Sequence, residues 1–332
     1  MAVASRTKAT SKTVVKQKKE AVSKTTKTVK TKQTTKVTKT KTEPQAYKSN
    51  KKVVLLTGAT SGMGLEILKD LALKPYVVLA VGRDPSACKA AMDSIDKKEQ
   101  KANIMFCLAD LSVMSQVSNL AQDINQKLSK LNLKHIDVIY FNAAQFTPEI
   151  SHTYERHEVQ WATNYLSVVL LTDLLMPNLK LSTGARIITV TNKPSNNQKL
   201  DFQEIQNAKN PIKMYNYSKL ACLMFAMQFN EEYKDTNICA YSVYPGFVNS
   251  RLGALQTKGI KGFFAKLRLK KATNVIDAIQ TSLYLICAPH LPAKVVLYYN
   301  YRPIMPPSYA LSPFNRQRLW RATRSILGLS VK

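Results

Sequence analysis

From about residue 51 onward the chain alternates short apolar runs with longer segments in which apolar side chains recur every three or four positions. The runs of strand length are Val53–Leu56, Tyr76–Val81, Ile104–Leu108, Val138–Phe141, Ile187–Val190, Ala240–Tyr244 and Val295–Tyr299. Their near-continuous apolar character predicts strands covered on both faces. Helical spacing predicts helices over Leu65–Leu73, Ser112–Leu128, His157–Pro177, Met214–Tyr233 and Thr273–Cys287. Strands and helices that alternate in this way make parallel sheets. The pattern therefore predicts an α/β fold: one doubly wound domain over 51–332 with a mostly parallel, seven-stranded sheet.

The first 50 residues break the pattern. They are Thr/Lys low complexity, as in "KTTKTVKTKQTTKVTKTKTE", with no aromatic residue before Tyr47. Such a segment buries too little apolar surface to offset its ordering entropy, so 1–50 is expected to be a disordered basic tail. Residues 1–52 hold 16 Lys and Arg against two acids, which is half of the net charge of +28. A tail of this charge is a solvated extension, an organelle-targeting segment, a nuclear signal around Lys16–Lys19, or a tether to acidic partners or nucleic acid. Composition does not choose among these.

The apolar fraction of 45% supplies a real core, and no stretch approaches 18 consecutive apolar residues. Five scattered cysteines without a C-x-x-C pair suit a reducing compartment, and the N-terminus lacks the apolar region of a secretory signal. A cytoplasmic protein is the expectation, with organelle targeting by the tail as the alternative. His152 and His157 are placed on a loop or helix surface, and no metal site is expected.

The first predicted strand runs into "TGATSGMG", with glycines at 58, 62 and 64. Glycines permit a tight turn and a close approach of backbone to phosphate, and the N-terminus of the following helix attracts an anion. Alone, this spacing is only a glycine-rich turn; the flanking strand and helix make it a candidate dinucleotide site. The second strand ends "VGRD", which puts Arg83 where the adenosine ribose is read. Arginine there suits a 2'-phosphate and favours NADP(H), although a solvated strand-end arginine and the neighbouring Asp84 leave the alternative open.

"YNYSK" sets Tyr215 and Lys219 four residues apart, on one face of a predicted helix. An ammonium beside a phenol lowers a pKa of about 10 and makes tyrosine an acid or base near neutral pH. "YKSNK", Tyr47 to Lys51, matches the same pattern in the tail, so position after the fifth strand is what singles out Tyr215.

These landmarks, in this order, resemble the short-chain dehydrogenase/reductase family, nearest its retinol dehydrogenase-like branch, over about residues 51–328. The resemblance implies a Rossmann fold, NADP(H) as cofactor, and hydride transfer between cofactor and a carbonyl or carbinol carbon. It implies cofactor contacts from Gly58, Ser61, Gly62, Met63 and Gly64, and from Arg83. "ADLS" contributes Asp110 and Leu111 near the adenine, and "FNAA" contributes Asn142 and Ala143. "YPGFVNS" resembles the family's P-G-x-V-x-T, implying contacts from Pro245, Val248 and Ser250 to the nicotinamide. Tyr215 and Lys219 complete the cofactor contacts and form the reactive pair. "NYLSVVLLTDLLMP" makes Asn164 the structural and proton-relay asparagine, and "NRQRLWRATRSILGL" resembles the branch's closing helix.

Besides Ser250, which stands in place of a threonine, two further places depart from the pattern. Where the family has its catalytic serine this chain reads "TVTN", so Asn192 occupies that place and Thr191 precedes it; Ala144 replaces a glycine. An amide donates a hydrogen bond to a substrate oxygen but does not pass a proton on as a hydroxyl does. Thr191 substitutes only if its hydroxyl turns into the site. The branch implies a lipophilic ketone, aldehyde or alcohol as substrate. Ile260, Phe263, Phe264 and Leu267, among Lys261, Lys266, Arg268, Lys270 and Lys271, form an amphipathic segment. It is either a lid that touches an anionic membrane surface through 260–271 or a surface helix packed on the body. The readings left open are a working oxidoreductase, a catalytically weak NADP(H)-binding scaffold recruited by its tail, and a nucleic-acid-binding protein; a homo-oligomer is compatible with each.

Overall fold

The computed structural model describes residues 51–248, 274–292 and 295–330, all within one unit, Pro44–Lys332. The basic tail, Ser250 and the 260–271 segment lie outside the described residues. The sheet is built from β1 (Lys52–Thr57), β2 (Tyr76–Gly82), β3 (Ile104–Leu108), β4 (Val138–Phe141), β5 (Arg186–Val190), β6 (Cys239–Val243), β7 (Leu297–Tyr299) and β8 (Arg302–Pro303). Their order is β3-β2-β1-β4-β5-β6-β7-β8. Every pair is parallel except β7 with β8.

All seven predicted strands form, to within two residues at either end. The eighth was not expected. It is only two residues long, both exposed, and it pairs antiparallel at the edge, so it carries no apolar run for a sequence to display.

The helices are α1 (Gly62–Ala72), α2 (Pro85–Asp93), α3 (Lys98–Lys101), α4 (Met114–Lys130), α5 (Val159–Trp161), α6 (Ser167–Leu174), α7 (Met176–Lys180), α8 (Phe202–Gln206), α9 (Pro211–Glu232), α10 (Val275–Cys287), α11 (Ser308–Leu311) and α12 (Pro313–Ile326). The helix expected over His157–Pro177 is instead α5, a π-helical stretch at Ala162–Leu166, α6, and a break at Leu175 before α7. The helix expected from Ser112 begins at Met114; Ser112 belongs to the preceding turn, where its N–H and hydroxyl both donate to Asp110 Oδ1. Its first turn is capped from afar: the Glu155 carboxylate accepts from the N–H groups of Met114 (2.7 Å) and Ser115 (3.1 Å).

Alternation along each strand divides the core in two. Val53, Leu55, Val77, Leu79, Ile139 and Ile187 face one layer, with residues of α4, α6 and α9. Val54, Leu56, Val78, Tyr140, Ile188 and Tyr241 face the other, with residues of α1 and α10. Leu55 and Leu79 are completely buried, each contributing ~1.5–3 kcal/mol of transfer free energy. α12 closes one side. It packs on α9, where Trp320 stacks on Phe225, and it is tied to α6 by the Arg324–Asp173 ion pair at 2.9 Å. All five cysteines are free thiols. No helix among the described residues is long and apolar enough to cross a membrane.

Candidate active site

The strand order reverses between β1 and β4, and crevices outside the carboxyl ends of parallel strands at such a point are where ligands bind. The described candidate residues follow the carboxyl ends of β1 to β6, except Asn164, in the π-helical stretch, and Tyr215 and Lys219, on α9.

The turn from β1 into α1 is packed backbone to backbone. Gly58 has φ +66° and Gly62 φ +54°, the left-handed region that favours glycine. A Cβ at Gly58 would stand 2.8 Å from Ala143 Cα, and one at Gly64 would stand 2.0 Å from the Gly58 carbonyl oxygen. Asn142 braces the turn by donating from Nδ2 to the Gly58 carbonyl at 3.1 Å, and the Ala143 N–H donates to Thr57 Oγ1 at 3.1 Å. Ser61, at the N-cap of α1, makes no side-chain cap bond, and the first turn holds no acidic residue. Ser61 and Gly62 are exposed, Met63 is half-buried, and Gly64 is buried against the turn. This is a cradle for an anion: open helix N-terminus, positive end of the dipole, and a wall that admits no side chain. The residues present therefore fit a dinucleotide pyrophosphate.

Arg83 leaves the end of β2 with its side chain 64% exposed, 3.8 Å from Asp110 Oδ2 and 3.5 Å from Gln145 Oε1. Asp84, the acid that left the ribose contact open, is occupied elsewhere: it caps α2, accepting from the Ala87 N–H at 2.6 Å. Asp110 holds the loop after β3 by accepting from Ser112, and Leu111 is buried beneath it. Pro245 and Val248 are half-buried after β6, and Gly246 between them has φ +86°.

Tyr215 and Lys219 lie on α9, whose N-cap is Asn210, accepting from the Lys213 N–H at 3.1 Å, with Pro211 at the first position. Tyr215 is half-buried with its ring edge-on to Phe146, 5.7 Å between centroids. Lys219 is 3% exposed; its Nζ donates to the Val190 carbonyl at 3.3 Å and lies 5.8 Å from the centre of the Tyr215 ring. The expected depression of the Tyr215 pKa is not found: burial pushes the phenol up to about 12. Burial also pushes the Lys219 ammonium down. Desolvation disfavours the charged form of both groups, and the amine is engaged on a main-chain oxygen instead of the phenol oxygen.

Asn164, 1% exposed, is a two-pronged brace. Its Oδ1 accepts from the Gln145 N–H at 2.7 Å, and its Nδ2 donates to the Gln145 carbonyl and to Ser218 Oγ, both at 3.0 Å. Ser218 donates onward to the Tyr215 carbonyl at 2.8 Å, and Cys222 Sγ donates to the Asn164 carbonyl at 3.0 Å. The Asn164 side chain thus ties the loop after β4 to α9. The π-helical turn that carries it is the local distortion common at functional sites.

Thr191 does not turn into the site. It is buried, and its hydroxyl donates to the Lys219 carbonyl at 2.9 Å. Asn192 is half-buried and donates from Nδ2 to Asn216 Oδ1 at 2.9 Å. Gln145, Phe146, Ser218 and Asn216 were not singled out from sequence. Ser218 and Asn216 both lie inside the quoted "YNYSK", but the Asn216 contact with Asn192, like those of Gln145 with Asn164 and Phe146 with Tyr215, spans a sequence gap that no local pattern records.

A profile of the short chain dehydrogenase family matches residues 52–261. Mouse retinol dehydrogenase 12 is 28% identical over 287 residues, covering 84% of this chain and 87% of its own. Human retinol dehydrogenase 11 is 30% identical over 288 residues, with the same coverage. Among solved structures, NADPH-bound carbonyl reductase from chicken fatty liver aligns with a TM-score of 0.57 at 17% identity, covering 77% of this chain and 99% of that one. Fold, site and sequence agree on the class, a nucleotide-dependent oxidoreductase of doubly wound α/β architecture. The chain belongs to the short-chain dehydrogenase family, on its retinol dehydrogenase-like branch.

Proposed function

We propose that this chain is an NADP(H)-dependent oxidoreductase that interconverts a lipophilic ketone or aldehyde with its alcohol. The observation that carries the reading is the conjunction of the Gly58–Gly64 cradle after β1 with Tyr215 and Lys219 on α9, fastened to the carboxyl end of β5. Bound NADPH supplies the hydride. Gly58, Gly62 and Gly64 hold the pyrophosphate, and Arg83 takes the 2'-phosphate, free of competition from Asp84. Asp110, Leu111, Asn142 and Ala143 line the adenosine side; Pro245, Val248 and Ser250 serve the nicotinamide.

Tyr215 gives the proton to the carbonyl oxygen in reduction and takes it back in oxidation. A phenol with its pKa pushed up to about 12 is protonated at neutral pH, the state reduction requires. Lys219 holds the nicotinamide ribose, Asn164 keeps the flanking loop and α9 in register and orders a proton relay, and the Asn192 amide donates to the substrate oxygen. Relatives named for retinol support an apolar substrate, as do Phe146 against Tyr215 and the exposed Phe247 after β6. Contact of 260–271 with a membrane surface and recruitment of acidic partners by the tail extend the same reading.

The second reading, an NADP(H)-binding scaffold with little turnover, is favoured by one observation: the hydroxyl next to the serine position, that of Thr191, is spent on a main-chain carbonyl. One experiment separates the two. Purified protein with NADPH and a panel of lipophilic aldehydes, ketones and quinones is expected to consume cofactor. Tyr215→Phe is expected to bind NADPH equally well and to lose at least ~100-fold in turnover. Binding without turnover in both proteins would leave the scaffold.

A further inference from the structure

At the carboxyl end of β5 three consecutive residues are fastened to α9 in turn. The Val190 carbonyl accepts from Lys219 Nζ, the Thr191 hydroxyl donates to the Lys219 carbonyl, and Asn192 Nδ2 donates to Asn216 Oδ1. The first two bonds involve main-chain atoms of one partner. The third joins two side chains across 24 residues, and its acceptor is the residue next to Tyr215. Both asparagines are half-buried, so the pair is not part of the core.

A pinned amide differs chemically from a hydroxyl. Nδ2 carries two hydrogens; Asn216 takes one, which leaves one N–H donor and the Oδ1 acceptor of Asn192. The terminal torsion of a lone asparagine is broad, so its donor points in a defined direction only when a partner holds it. We propose that Asn216 is a positioning residue: by accepting from Asn192 Nδ2 it aims the remaining Asn192 N–H at the carbonyl oxygen of the substrate beside Tyr215. The pair then supplies the hydrogen bond that a hydroxyl supplies elsewhere, while the proton stays with Tyr215. This rests on the reductase reading above, and it assigns a function to the departure at 192 in place of a defect.

The test uses the full chain and four variants: Asn216→Ala, Asn216→Asp, Asn192→Ser, and Asn192→Ser with Asn216→Ala. Two quantities are measured with all-trans-retinal, nonanal and 9,10-phenanthrenequinone. One is NADPH-dependent reduction; the other is equilibrium dialysis of each carbonyl against protein saturated with NADP+, which needs no turnover. Asn216→Ala is expected to lower kcat and weaken carbonyl binding by about fivefold to tenfold, with NADP+ affinity and thermal midpoint unchanged. Asn216→Asp keeps the acceptor and restores most of the loss. In the Asn192→Ser background the alanine substitution costs less than about twofold, because its partner is gone. Should the alanine variant not fold, Asn216→Leu removes the acceptor at similar volume.

The proposal is overturned if Asn216→Ala binds and reduces the carbonyls as wild type does. An equal loss in both backgrounds, the signature of a purely structural tie, also overturns it, as does failure of wild type to bind any of the three carbonyls. If the coupling appears in dialysis while no carbonyl is reduced, the positioning role stands and the reductase reading falls.

Discussion

The two ends of the cleft are built differently. At the β1–α1 turn, backbone meets backbone: Gly64 touches the Gly58 carbonyl and Gly58 touches Ala143, braced by the side chains of Asn142 and Thr57. At the β5–α9 end the contacts are made by side chains, through Lys219, Thr191, and the Asn192–Asn216 pair. Backbone contact tolerates only glycine and therefore holds a family pattern rigidly. Side-chain contact can be re-solved with other residues, and here two amides, Asn192 and Asn216, make one of the ties.

The largest effect is expected where the backbone contact is tightest. Gly64→Ala would put a methyl 2.0 Å from the Gly58 oxygen and 2.5 Å from Asn142 Nδ2, so the turn must open. Titration with NADPH should show affinity falling by roughly a hundredfold or more, with stability lowered by about 1–3 kcal/mol in chemical denaturation. Retained affinity would mean that the turn is not the phosphate site. Next comes Arg83→Ala. Losing a charge-assisted contact worth ~1.5–3 kcal/mol should weaken NADPH about tenfold to a hundredfold and leave NADH unchanged. Equal losses for both cofactors would remove the 2'-phosphate assignment.

The pH profile sharpens the other end. With the Tyr215 phenol pushed up to about 12, the proton donor is fully protonated through neutral pH. Reduction should be flat there, whereas oxidation, which needs the phenolate, should rise about tenfold per pH unit toward that value. Oxidation that levels off near neutral pH would show a phenol ionising much earlier. The smallest effect is reserved for Gly62→Ala. Nothing lies within 4 Å of a Cβ there, so only the strain at φ +54° remains, of order 1–2 kcal/mol. Chemical denaturation should show a loss no larger than that strain, without the backbone clash that Gly64→Ala creates.

What was legible in the sequence follows the same division. The seven predicted strands were legible because β1, β2, β4, β5 and β6 are buried on both faces almost throughout and even β3 and β7, which expose Leu108 and Tyr299, keep an apolar run. The glycine turn was legible because close approach leaves few residue choices. α2 was missed because "PSACKAAMD" is short and buries only Cys88 and Ala91, while Asp84, its cap, was weighed instead as a ribose contact. The break in the helix expected over 157–177 was missed because a π-helical stretch has the same apolar composition as an α-helix. That Tyr215 and Lys219 share a helix after the fifth strand was legible from spacing and position, but the direction of the phenol pKa was not: spacing reports the neighbouring charge and says nothing of burial, which here dominates. The Asn192–Asn216 bond leaves no periodicity at all, since it joins a loop to a helix 24 residues away.

The central claim is that an intact cofactor cradle serves a site that performs hydride transfer with Tyr215 as its proton donor. A single-turnover experiment tests it most directly: protein loaded with one equivalent of NADPH is mixed rapidly with all-trans-retinal, and retinol is quantified by chromatography. Wild type is predicted to form retinol, and Tyr215→Phe to bind NADPH with the same affinity and form none. Retinol formation by Tyr215→Phe at the wild-type rate would contradict the account.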